Sequence, residues 1–187
     1  MLRSILCSTG TLLISLLLMA QDNQRAKGTF TLRSEDLGGQ ATMRQVFNGF
    51  GCTGTNQSPQ LSWENPPEGT RGYAITMYDP DAPTGSGWWH WVVYDIPANV
   101  KSLQAGAGSA GGALPREAKQ ARTDFGTKGY GGPCPPEGDR PHQYIITIHA
   151  LPTEKLDVPD DASPAMIGFN LGAQELARAS LVFYYGR

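Results

Sequence analysis

A chain of 187 residues with a formal charge of −2 at neutral pH is long enough to bury one substantial core and too short for two comfortable ones. Charged residues make up 17% of it and no basic run occurs, which excludes the extended phosphate-backbone footprint that a nucleic-acid partner requires.

Residues 1–20 carry one basic side chain, Arg3, and then an apolar segment from about Thr11 to Ala20, after which residues 21–27 turn polar at once. That is the pattern of a secretory signal peptide, and it is shorter than the ~18 apolar residues of a spanning helix. The cleavage site is imperfect, with small Ala20 last but bulky Leu18 two before it. The expected organisation is a signal peptide over 1–20 and one domain over 21–187. The expected location is periplasmic or secreted, with no stable membrane insertion after cleavage. Of three cysteines, Cys7 falls in the leader, which leaves Cys52 and Cys134 as an even pair. An oxidising compartment would join them in a disulfide; the alternative is two buried thiols, since a metal site lacks the usual ligand spacing.

Further along, six runs rich in β-branched and aromatic residues are bounded by Gly, Pro, Asn or Asp: 28–33 (GTFTLR), 60–63 (QLSW), 72–78 (GYAITMY), 89–96 (WHWVVYDI), 142–151 (HQYIITIHAL) and 179–185 (ASLVFYY). Together they predict a mainly β, sandwich or barrel-like core. A helix is predicted over 162–176, with Ser163 as N-cap, Pro164 at the first helical position, and Met166, Phe169, Leu171 and Leu176 as its apolar face. A short helical turn is expected over 115–121. The glycine-rich 105–113 (AGAGSAGGA) lacks the Lys-Ser/Thr ending of a phosphate-cradling loop and reads as a surface loop.

Three stretches concentrate chemistry: 77–83 (MYDPDAP), 87–95 (GWWHWVVYD) and 129–144 (GYGGPCPPEGDRPHQY). Strand alternation puts His142 and Tyr144 on one face and Gln143 on the other, and puts His90 with Val92 and Tyr94. Asp79 and Asp81 straddle Pro80 where a strand becomes a turn; their bland reading is turn formation through local N–H groups, with Pro83 closing the turn. His90 among tryptophans reads equally as a satisfied core histidine. The combination argues for more. A Gly/Pro loop brings stiff backbone close to a ligand with little ordering entropy left to lose. Two histidines and a tyrosine supply donors suited to a small anion. Carboxylates in such a pocket either orient the histidines or receive an amine on the same ligand.

These residues carry a resemblance. The segments 52–70, 78–83 (YDPDAP), 87–97 (GWWHWVVYDIP), 124–144 and 163–187 resemble, in order, the phosphatidylethanolamine-binding protein (PEBP) family, in its bacterial and archaeal Raf-kinase-inhibitor-like branch. The resemblance implies an antiparallel β-sandwich with a few peripheral helices, one of them near the C-terminus, and a small anion pocket at one end. Carried over by position, that pocket contains Asp79, Trp88, His90, Gly132, Pro133, His142 and Tyr144. Gln143 stands where the family commonly has Arg, on the face turned away from the pocket.

The function expected is a non-catalytic, exported binding protein without a cofactor. Its ligand would be phosphate, a phospho-head group or a similar anion, and modulation of a protein partner, in the manner of a kinase or protease inhibitor, is a further expectation. The alternative is a metal-dependent hydrolase or lyase using His90, His142 and Asp79. A serine hydrolase around Ser86 (TGSGW) lacks the nucleophile-elbow pattern.

Overall fold

In the computed structural model the described residues are 28–187. The leader expected over 1–20 lies outside them. Ten strands and one helix follow in chain order: β1 (Thr31–Arg33), β2 (Asn48–Gly49), β3 (Cys52–Thr53), β4 (Leu61–Glu64), β5 (Gly72–Asp79), β6 (Trp88–Pro97), β7 (Ser102–Leu103), β8 (Lys119–Gln120), β9 (His142–Leu151), α1 (Pro164–Gln174) and β10 (Ala177–Tyr185). A five-stranded antiparallel sheet, ordered β10-β9-β5-β6-β8, faces a three-stranded one ordered β1-β4-β7. Every one of the six predicted runs forms a strand.

The core follows from the two-residue period. Ile75 and Met77 of β5, Trp91 and Val93 of β6, and Tyr144, Ile146 and Ile148 of β9 meet Leu32, Leu61, Trp63 and Leu103 of the small sheet. Trp63 packs edge-on to Tyr73 at 5.4 Å and so ties the layers together. Intervening residues, Ala74, Val92, Tyr94 and Leu151, face the opposite way and are covered by α1. Each large side chain so buried contributes about 1.5–3 kcal/mol.

The helix begins as predicted, with the Met166 N–H donating to Ser163 Oγ and Pro164 in the first turn. Its buried face is different: Pro164, Ile167 and Leu171 point inward, while Met166, Phe169 and Leu176 are exposed. The inward set has the 164/167/171 spacing of one helical stripe, and Ile167, not Met166, falls on it. Residues 115–121 are also not helical. Ala118 closes a turn onto the Pro115 carbonyl, and Lys119 and Gln120 then pair with Tyr94 and Val93 as an edge strand.

The expectation that His90 shares a face with Val92 and Tyr94 is overturned. Met77 pairs with Trp91 and Tyr78 with Trp89, so β6 carries one extra residue at His90. Such a bulge locally breaks alternation. Val92 and Tyr94 remain under α1, whereas the His90 ring meets Tyr144 edge-on at 5.1 Å on the other side of the sheet.

Candidate functional site

Because β5 runs antiparallel to both β6 and β9, its C-terminal end lies beside their N-terminal ends. Asp79, Trp88, His90, His142 and Tyr144 are therefore gathered at one end of the sheet, though they are far apart in the chain. They line a cavity of about 150 Å³ whose remaining walls include Phe50, Pro83, Thr84, Phe125, Cys134, Pro135 and Pro136.

At its floor, Asp79 is almost fully buried. One carboxylate oxygen accepts the Asp81 and Ala82 N–H groups at 2.8 and 3.1 Å, and the other accepts His142 Nδ1–H at 2.8 Å. The D-P-D turn therefore fixes the carboxylate, and the carboxylate fixes the imidazole. His142 Nε2 is left for the mouth, where Asp139 stands 3.5 Å away. His90 donates Nδ1–H to the Gly131 carbonyl at 2.7 Å, which fixes its tautomer and leaves Nε2 as the free ring nitrogen. Burial pushes its pKa down to about 4, so the ring is neutral at physiological pH. Tyr144 is buried with no hydrogen-bond partner for its hydroxyl. Burial, and then the neighbouring Asp79 charge, raise its pKa, so it remains an O–H donor.

Asp81 stands in the turn through its N–H, which donates to Asp79, while its own carboxylate is engaged by residues distant in the chain. Its carboxylate accepts the Gln143 N–H at 2.8 Å and pairs with Arg140 at 2.6 Å; the Gln143 bond and the Arg140 charge hold its pKa low. Pro83, expected only to close the turn, lines the cavity. Gln143 does not line it.

Gly132 and Pro133 are not among the lining residues, though the Gly132 backbone lies against His90; the lining residues of that loop are Cys134, Pro135 and Pro136. A Cβ on Gly132 would sit 1.9 Å from the Gln45 carbonyl, so glycine is required there for close backbone packing. The Gly132 N–H donates to Asn56 Oδ1 at 2.8 Å, and the Pro133 carbonyl accepts the Phe47 N–H at 3.0 Å. Cys134 is disulfide-bonded to Cys52 across a separation of 82 residues. Arg187 completes the frame: Nε donates to the Pro135 carbonyl at 2.7 Å and Nη2 to the Phe50 carbonyl at 3.2 Å.

Phe50 and Phe125, which sequence reasoning missed, form the rim. Both sit in glycine-rich turns, and the only signal for them was the placement of an aromatic residue among glycines (FNGFGC, DFGTKGYGG). Among the described residues, no group of three His, Cys, Asp or Glu side chains stands where it would hold a metal ion. The alternative His90–His142–Asp79 metal set is not such a group, although both imidazoles are held through Nδ1, which leaves Nε2 as the ring nitrogen available to a ligand.

Comparison with known proteins agrees with this architecture. Residues 34–186 match the family described as phosphatidylethanolamine-binding protein. The chain is 47% identical over 178 residues to YbcL of Escherichia coli K12, covering 94% of this chain and 97% of that protein. It is 51% identical over 152 residues to YbhB of the same organism, covering 80% and 96%. The crystal structure of E. coli YbcL, described as a member of the mammalian PEBP family, superposes with a TM-score of 0.82 at 48% identity, covering 86% of this chain and 99% of that one. The chain belongs to the phosphatidylethanolamine-binding protein family, whose members are in general non-catalytic binding proteins.

Proposed function

We propose that the cavity binds a small oxyanion, phosphate or a phospho-head group, reversibly and without chemistry, and that the protein works in an oxidising compartment outside the cytosol. The observation that carries the ligand reading is the Tyr144 hydroxyl, fully buried in the pocket wall beside Asp79 and without a well-formed hydrogen bond. An orphaned buried donor costs about 1–3 kcal/mol, which an acceptor oxygen from a ligand offsets. His142 supports it, since the Asp79 carboxylate on Nδ1 fixes the ring with Nε2 towards the same space. Neutral His90 presents Nε2 as an acceptor, suited to the hydroxyl of a monoprotonated phosphate. The carboxylate's place in an anion site is thus to orient a histidine. The compartment reading rests on the leader-like residues 1–20 and on the Cys52–Cys134 bond.

The test is a titration with phosphoethanolamine followed by NMR in wild type, Tyr144→Phe and His142→Ala. Each substitution removes a polar partner of a charged group and is expected to weaken binding roughly 10- to 100-fold. Equal affinity in all three proteins would move the ligand elsewhere.

A further inference from the structure

The rim of the cavity is built differently from its floor. Asp79, His90, His142 and Tyr144 are 3% exposed or less, whereas Phe50 is 66% exposed. Phe50 also adopts a left-handed backbone conformation, φ 53°, which bulky L residues avoid unless their surroundings impose it. The surroundings do impose it: Cys52, two residues on, is bonded to Cys134, and Arg187 holds the Phe50 carbonyl. The ring so presented lies nearly parallel to Phe125, at 5.9 Å and 12°, with Phe47 5.3 Å behind it. Trp88 stands edge-on to Phe125 at 5.5 Å and 90°. The rim is therefore a corner of ring faces, and no Lys or Arg lines the cavity. A volume of about 150 Å³ matches a cavity that holds one benzene ring. A phosphoryl head group against the polar floor leaves part of that volume open, and a substituent bonded to the head has Phe50 beside it.

We infer that Phe50 is a specificity-determining residue whose ring is a stacking platform for a flat, unsaturated group bonded directly to the anionic head. The pocket thereby favours aryl esters over alkyl esters and over the bare anion. The inference rests on the anion reading of the same cavity. An alkyl substituent would gain apolar contact with these rings, but only a flat π-system extends the Phe50–Phe125 stack, which adds roughly two- to tenfold in affinity.

Calorimetric titrations of the full protein with inorganic phosphate, methyl phosphate and phenyl phosphate test it, in wild type and in Phe50→Ala, Phe50→Leu and Phe50→Trp. The expected result is phenyl phosphate bound about three- to tenfold tighter than methyl phosphate by wild type and Phe50→Trp. That preference, read as the ratio of phenyl to methyl phosphate affinity within each protein, should be lost in both Phe50→Ala and Phe50→Leu. Equal affinity of wild type for the two esters, with phosphate still bound, overturns the inference and leaves the anion reading standing. Retention of the preference in Phe50→Leu overturns it as well, by showing that apolar area alone suffices. A uniform loss of all three ligands in Phe50→Ala would make the ring a support of the loop, which also overturns it. Failure of wild type to bind any of the three removes the anion reading itself.

Discussion

His90 shows how burial decides the chemistry of a single side chain. Its folded pKa, about 4, lies below the ordinary value of 6.5 because desolvation penalises the imidazolium more than the Gly131 carbonyl and Asp79 favour it. The unfolded chain therefore binds the proton first as acid is added. The stabilising effect of keeping His90 neutral is complete above pH 6.5 and is lost as the pH falls from there towards 4. In full it amounts to roughly 3 kcal/mol. His149, buried against Glu175 and Thr76, is shifted in the same direction for the same first reason, so the wild-type curve contains both. Denaturant unfolding at pH 7 and pH 4.5 separates them: His90→Gln is expected to lose less stability between the two than wild type does, and an equal loss would refute the assignment. In parallel, the His90 ring resonances are expected to stay constant from pH 8 to 5.5.

At the scale of elements, the pocket depends on how three strands end and how two loops are held. Arg187 is the residue that grips both loops, through the carbonyls of Phe50 and Pro135. Arg187→Ala is expected to weaken phosphoethanolamine binding about three- to tenfold with less than about 1 kcal/mol lost from global stability. Arg187→Lys is not expected to restore it, because one ammonium on a flexible stem does not reproduce a planar fork. Isothermal titration beside thermal unfolding checks both, and unchanged affinity in the alanine variant would remove Arg187 from the frame. These elements were unequally legible. The run 72–78 announced its strand because burial on both faces demands a near-continuous apolar sequence, and 142–151 announced its own by β-branched and aromatic residues in alternation. The pairs at Asn48–Gly49, Cys52–Thr53, Ser102–Leu103 and Lys119–Gln120 did not, since two residues carry no period. The extra residue at His90 was invisible for a related reason: a bulge is a property of the partner strand's register and leaves no mark on composition. The polar floor was legible as residue types in neighbouring motifs. The aromatic rim was not, because an exposed phenylalanine in a glycine turn has no pattern that separates it from loop.

Across the whole molecule, the Cys52–Cys134 bond joins the turn that bears Phe50 to the loop that bears Pro135 and Pro136. A crosslink closing a loop of that length restrains the unfolded chain by roughly 2–5 kcal/mol. Reduction is therefore expected to lower stability by about that amount and also to weaken phosphoethanolamine binding, because the same bond shapes the rim. Urea titrations and ligand titrations with and without reductant check the two effects separately; intact affinity after complete reduction would confine the crosslink to a stability role. The contacts that make the pocket also bear on the order in which the protein is built. Asp79 and His142 are 63 residues apart, Cys52 and Cys134 are 82 apart, and Arg187 reaches back 137 residues to Phe50. Such distant closures come late in folding, after the hairpins they connect. Because β9, which carries His142 and Tyr144, pairs with β5, which carries Asp79, the docking of β9 extends the larger sheet and assembles the pocket floor in one step, and ligand capture would report that this step was finished.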